Sequence, residues 1–196
     1  MMIATDTAVI RKDGVVKILG ISGSARKGSY NTALLKAAKE VLPAHTALDI
    51  FDVSRFPLYT QDLELTPPPD VVEFKERIRA SDAVLFATPE HNYSVSAVLK
   101  NAIEWGNRPP EDNSWDGKPA AVMSASTSPR GGARAQLHLR QIMVDLNMYP
   151  INQPQLLLAR AEEAFDEHLR LKDERARKIL KTLLQELVEW TVKVSD

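Results

Sequence analysis

Residues 15–42 read VVKILGISGSARKGSYNTALLKAAKEVL, and this stretch decides the fold. Val15 to Ile21 is a short, β-branched, apolar run that stops at Ser22-Gly23-Ser24. It reads as a buried strand meeting a turn. Asn31 to Leu42 follows, with Leu34, Leu35, Ala38 and Leu42 at helical spacing and Pro43 as the stop. A strand that enters a helix through a Gly/Ser loop leaves the helix's first N–H groups unpaired. Those groups and the helix dipole together make an anion site. Ser24, Ser29 and Thr32 add hydroxyls, and Arg26 adds a positive charge. Gly23 and Gly28 have the spacing of a Walker A loop, but Ser29-Tyr30 stands where that motif needs Lys and Ser/Thr. No G-x-G-x-x-G occurs either, which argues against a dinucleotide fingerprint. A monophosphate held by hydroxyls and amides fits best. A Ser-rich helix cap without a ligand is the other reading of the loop.

Outward from this stretch, strands and helices alternate. Ala47 to Phe51 is a second strand, and Asp52 to Pro69 is a long loop with Pro57 and Pro67-Pro68-Pro69. Val71 to Ala80 is a helix expected to turn Val72, Phe74 and Ile78 inward. Ala83 to Ala87 is continuously apolar, as in a strand buried on both faces. Val95 to Trp105 is a helix, Arg108 to Lys118 a loop, and Ala120 to Met123 a fourth strand. Ser124 to Gly132 is a polar loop, Ala133 to Leu146 a helix, and Ile151 to Leu158 a fifth strand interrupted by Pro154. In the last helix Asp173 is the cap, and Ala176, Ile179, Leu180, Leu183, Leu184, Leu187 and Val188 form one stripe for the core. Five strands, each followed by a helix, predict an α/β fold: a doubly wound parallel sheet with helices on both faces. Both common strand orders place ligands at the carboxyl ends of the strands. The loops after strands one, three and four are therefore the ones that matter.

The loop after strand three, Thr88 to Ser94, is dense in polar and aromatic groups. It can offer amides to the polar edge of a flat ring and an aromatic face to its plane. In the loop after strand four, Gly131-Gly132 permits close backbone approach to a ligand. Glu90 and His91 are adjacent, and His45, His138 and His168 are scattered, so no metal site is assigned. The chain has 196 residues, 44% of them hydrophobic and 26% charged, with a formal net charge of −1. That balance fits one globular domain and gives no electrostatic reason to expect nucleic acid or a membrane surface. With no cysteine, disulfides, thiolate nucleophiles and iron–sulfur clusters are excluded. Residues 1–14 lack the apolar core of a signal peptide and are expected to be a disordered tail ahead of a single domain at 15–196. No apolar run is long enough to span a bilayer, so a cytoplasmic protein is expected.

Three segments together resemble the NADPH-dependent FMN reductase family, which includes quinone, azo-dye and chromate reductases. Gly23 to Asn31 resembles its G-S-x-R-x-x-S-x-N phosphate loop. Pro89-Glu90-His91-Asn92-Tyr93-Ser94 is similar to its P-E-Y-N-x-S flavin loop, and Leu99 to Trp105 to its L-K-N-A-I-D-W helix. Ser128 to Gln136 resembles its glycine-rich segment. The resemblance implies a flavodoxin-like sheet of order 2-1-3-4-5 and non-covalent FMN. It implies that Ser24, Arg26, Ser29, Asn31 and Thr32 hold the phosphate. Pro89, Glu90, His91, Asn92 and Tyr93 would line the ring and ribityl chain, with Ser126 and Gly131 near the ring's other edge. It further implies that NADPH or NADH delivers a hydride and that a quinone, flavin, azo or chromate-type small-molecule acceptor receives it. The chemistry is carried by the flavin, so no catalytic side chain is assigned.

Arg26 and Arg108 are candidates for steering the nicotinamide phosphate. His91 stands where the family usually has Tyr, and Ser96 where Pro often opens the helix, a change expected to loosen the loop. Homodimers or homotetramers are implied, with apolar and aromatic groups of the Val95–Trp115 region expected at the contact. A flavodoxin-type electron carrier and a non-enzymatic FMN-binding regulator are the alternatives. The near-neutral charge suits a carrier poorly, because such carriers dock through acidic surfaces.

Overall fold

The computed structural model describes residues 14–195. The expected tail at 1–14 lies outside them but for Gly14. The strands are β1 (Val16–Ser22), β2 (Thr46–Phe51), β3 (Ala83–Ala87), β4 (Pro119–Ala125), β5 (Tyr149–Pro150) and β6 (Leu156–Leu158). The helices are α1 (Tyr30–Glu40), α2 (Pro69–Ala80), α3 (Ala97–Gly106), α4 (Ala133–Asp145), the single turn α5 (Ala161–Ala164) and α6 (Glu174–Ser195). All pairings between named strands are parallel, in the order β2-β1-β3-β4-β5, with β6 also on β4. This is the expected 2-1-3-4-5 flavodoxin-like sheet.

Alternation along the strands builds two cores. Ile18, Leu85, Ala121 and Met123 face α1 and α6, whereas Leu19, Ile21, Val84, Phe86 and Val122 face α2, α3 and α4. Each large apolar side chain so buried contributes ~1.5–3 kcal/mol. At Gly20 a Cβ would come within 3.0 Å of Leu35 Cδ2 and 3.1 Å of Leu48 Cδ1, so the missing side chain lets α1 settle on β1. The last helix behaves as its stripe predicts. Asp173 Oδ1 accepts the Ala176 N–H at 2.9 Å, and the Leu180-to-Val188 face packs into the core.

Four expectations need correction. The fifth strand is two pieces on one edge of β4: β5 pairs with Pro119–Ala120 and β6 with Met123–Ala125. Pro150 and Pro154 lack N–H donors, so the ladder cannot run unbroken across this stretch. On α2 the inward residue is Val71, fully buried with Phe74 and Ile78, while Val72 is 41% exposed. The spacing Val71, Phe74, Ile78 keeps the three on one face, which Val72 misses by a helical step. Trp105 and Trp115 do not form an exposed contact surface, being 1% and 0% exposed. Trp115 lies against Phe74 and Phe86, and its indole N–H donates to Ile103 O at 3.1 Å. Lastly, Ser96 does not loosen its loop, as shown below.

Candidate functional site

The three informative loops meet above the carboxyl ends of β1, β3 and β4. They enclose a cleft of about 610 Å³. Its first wall is the loop from Gly23 to Ser29. Ser29 caps α1, its hydroxyl accepting the Thr32 N–H at 3.3 Å. Ser24 Oγ accepts the Arg26 N–H at 3.3 Å. Both hydroxyl hydrogens remain free for a ligand, and the N–H groups of Tyr30 and Asn31, in the first turn of α1, meet no acceptor among the described residues. With Arg26 also lining it, this end of the cleft presents donors and positive charge, the donor set of a phosphate site.

Asn31 lines the same end, but its side chain is engaged inside the protein. Its Nδ2 donates to Ala125 O at 2.9 Å and its Oδ1 accepts the Ala125 N–H at 3.0 Å. It is 4% exposed and pins α1 to the end of β4. Thr32 turns to the other side of the loop, its hydroxyl 2.8 Å from that of Ser22.

The second wall follows β3. Pro89, Glu90 and His91 line the cleft. Glu90 accepts the backbone N–H of Arg134 at 3.0 Å, in the first turn of α4, and pairs with the Arg134 guanidinium at 3.5 Å. The helix dipole and the guanidinium neutralise a carboxylate that would otherwise repel an anion. His91 and Ser94 exchange two backbone hydrogen bonds around Asn92 and Tyr93, whose φ angles are +48° and +67°. Positive φ at both central residues is the mark of a type I′ turn, and it is costly for a tyrosine. Arg134 lies 3.7 Å above the Tyr93 ring and holds it there. Asn92 and Tyr93 therefore shape the loop without lining the cleft. Ser96 caps α3, accepting the Leu99 N–H at 3.2 Å while its hydroxyl donates to Gly23 O. Only 1% exposed, it ties the second wall to the first, so the departure from proline adds a fastening.

On the third wall Ser126 and Thr127 line the cleft, and sequence reasoning missed Thr127. Gly131 does not reach it. A Cβ there would meet the Leu157 backbone at 2.7 Å, so its close approach is to β6. Arg108 is also elsewhere, with its guanidinium 5.8 Å from the centre of the Tyr59 ring. Val98 and Ala97, on the first turn of α3, supply apolar surface that no polar motif had signalled. Among the described residues no group of three or more His, Cys, Asp or Glu is placed to hold a metal ion.

Comparison with known proteins finds that residues 16–163 match the family described as NADPH-dependent FMN reductase. The chain belongs to that family. It is 49% identical over 176 residues to the NAD(P)H-dependent FMN reductase of Pseudomonas aeruginosa, covering 89% of this chain and 95% of that one. It is 42% identical over 188 residues to the NADPH:quinone oxidoreductase of Arabidopsis thaliana, covering 92% and 94%. Among solved structures it is similar to the flavoenzyme NAD(P)H:(acceptor) oxidoreductase FerB of Paracoccus denitrificans, with a TM-score of 0.84, 34% identity and coverage of 91% and 98%. The expected family, fold and cofactor class are thereby borne out. The donor end of the cleft fits the FMN phosphate that such a family member binds.

Proposed function

We propose that this protein is an FMN-dependent NAD(P)H oxidoreductase that reduces small acceptors of the quinone class. One observation carries the reading: the donor-rich, cationic end of the cleft and the Pro89–His91 wall face one shared space at the carboxyl ends of β1, β3 and β4. The curated relatives from Arabidopsis thaliana and Pseudomonas putida, named as quinone reductases, support the acceptor class. When bound, FMN would supply the hydride chemistry between a nicotinamide and the acceptor.

The chain's own residues bind and orient. The hydroxyls of Ser24 and Ser29, the Arg26 side chain and the Tyr30 and Asn31 amides hold the phosphate. Pro89, Glu90 and His91, with Ser126 and Thr127, line the cleft where the ring would lie. Asn31, Ser96 and Arg134 fix the three walls relative to one another. The domain comprises residues 15–196, and its setting is cytoplasmic. The absence of cysteine supports the latter, and among the described residues no helix is long and apolar enough to cross a membrane. It works as a homo-oligomer, supported by Leu137 and Val144, which stand 61% and 79% exposed two turns apart on α4.

The test is spectroscopic. Protein loaded with FMN and freed of excess is expected to keep a flavin spectrum and to bleach on anaerobic addition of NADPH or NADH. Reoxidation by a quinone completes the cycle. Retained flavin that no nicotinamide bleaches would move the reading to an electron carrier or a regulator. A chain that retains no flavin would overturn it.

A further inference from the structure

A second cleft, of about 490 Å³, opens on the other side of the phosphate loop, between the carboxyl ends of β1 and β2. Ser24, Ala25 and Arg26 stand between the two clefts and border both. Arg26, Lys27 and Arg55 border it, and none of their side chains has a hydrogen bond or ion pair among the described residues. The opposing charge is Asp52, one oxygen of which accepts the Ser54 N–H at 2.9 Å. The hydrogen bonds from Ser54, with the field of Arg55, hold that carboxyl below its ordinary range, so it is ionised at neutral pH. With Arg26 turned to the flavin phosphate, Lys27 and Arg55 against one carboxylate still leave this cleft positive in a chain of net charge −1. The Ser22–Thr32 hydroxyl pair adds a donor. Whichever hydroxyl donates across the 2.8 Å contact, the other keeps its hydrogen free.

The first cleft already has an anion end at the N-terminus of α1. The flavin phosphate takes that end, so a second cationic cleft across the same loop suits an anion carried by another of the reaction's partners. Of the reaction's partners, a quinone carries no phosphate. NADPH carries a phosphomonoester on its adenosine ribose, remote from the reacting nicotinamide, and NADH does not. We propose that the second cleft receives this adenosine phosphate, with Arg55 and Lys27 selecting NADPH over NADH. The proposal rests on the oxidoreductase reading above. A guanidinium fork matches a phosphate in two hydrogen bonds, and the ammonium adds a point charge.

Two measurements test it. In the FMN-loaded enzyme, Arg55→Gln and Lys27→Gln are each expected to raise the ratio of KM for NADPH to KM for NADH about tenfold, the scale of one charge-assisted contact. Arg55→Lys should recover part of that ratio. In titration calorimetry, 2′,5′-ADP should bind the protein more tightly than 5′-AMP or inorganic phosphate, and Arg55→Gln should remove the difference. KM values that rise together for both nucleotides would overturn the proposal, as would 2′,5′-ADP binding that the variant leaves intact. Inorganic phosphate binding as well as 2′,5′-ADP would reduce the cleft to a general anion site. Loss of FMN from Arg55→Gln would assign it to the flavin phosphate instead. If no nicotinamide bleaches the flavin, the oxidoreductase reading fails, while the calorimetry still reports on the cleft.

Discussion

At Asn31 a single side chain serves both hydrogen-bonding groups of Ala125, at 2.9 and 3.0 Å, across 94 residues of chain. Asn31→Ala strands a buried N–H and a buried C=O together, and we expect a loss of ~2–4 kcal/mol in urea unfolding of the flavin-free protein. Asn31→Asp keeps the acceptor but sets a carboxylate oxygen against Ala125 O, so it should not restore stability. Arg134 acts on the site from outside. It clamps Glu90 and covers Tyr93 in its positive-φ turn. Arg134→Ala should weaken FMN binding about tenfold, read by fluorescence quenching of the flavin, with a much smaller change in unfolding free energy. Equal loss in both would mean that Arg134 merely stabilises the fold. The motif at Glu90 was legible in sequence, whereas its partner, 44 residues later, was not. Arg134 lies within the Ser128–Gln136 segment that resembles the family's glycine-rich motif, but nothing in that segment pairs it with Glu90.

The elements beside the site carry constraints of their own. Gly131 and Gly132 turn the chain into α4 at φ +59° and +86°, and a Cβ on Gly132 would come within 2.7 Å of Ser124 Cβ. Gly131→Ala meets Leu157 backbone, which cannot swing aside, so it should cost at least ~2 kcal/mol in the same unfolding assay. The short turn at Pro110–Asp112 is fastened to α2 by ion pairs from Asp112 to Lys75, at 2.7 Å, and to Arg79. Burial alone would raise the Asp112 pKa, but Lys75 and Arg79 outweigh it and hold it below the ordinary carboxylate range. A depressed folded-state pKa stabilises above the unfolded value of about 3.9 and loses that contribution as pH falls through the folded value. The Tm difference between wild type and Asp112→Asn should therefore be full at pH 7 and shrink toward zero below about pH 4. A difference independent of pH would sink this account. Helix and strand types were readable here because periodicity is local. The face of α2 and the split of the fifth strand were also written locally, in the spacing of Val71, Phe74 and Ile78 and in Pro150 and Pro154, although Val72 and an unbroken strand were expected.

At the scale of the whole molecule, α4 leaves Leu137 and Val144 uncovered. If this face joins two copies, a charge placed there desolvates at large cost. Leu137→Glu with Val144→Glu should convert the assembly to monomers in light scattering coupled to size exclusion. A wild-type chain that is monomeric at micromolar concentration would remove the oligomer from the reading. The aromatic pair Trp105 and Trp115, which sequence alone assigned to that contact, fills the core under α2 and α3 instead. Aromatic residues in a Pro/Gly loop look identical in sequence whether they anchor the loop inward or offer it to a partner.

The sequence by itself determined the alternation of buried strands and amphipathic helices, hence a parallel sheet, and the loops that would carry chemistry. Strand burial and helix amphipathicity are written in neighbouring residues, at spacings of two and 3.6. It also marked the Ser24–Ser29 donors, since helix N-termini are unsatisfied wherever they occur. Only the tertiary structure decided which of those residues face the ligand space. Asn31 and Thr32 turn to Ala125 and Ser22, Gly131 turns to Leu157, and Ser96 reaches back across 73 residues to Gly23. Polar side chains in a crossover fold take partners from strands distant in sequence, because a buried donor must find an acceptor wherever the packing brings one. The chain's order does not record that choice.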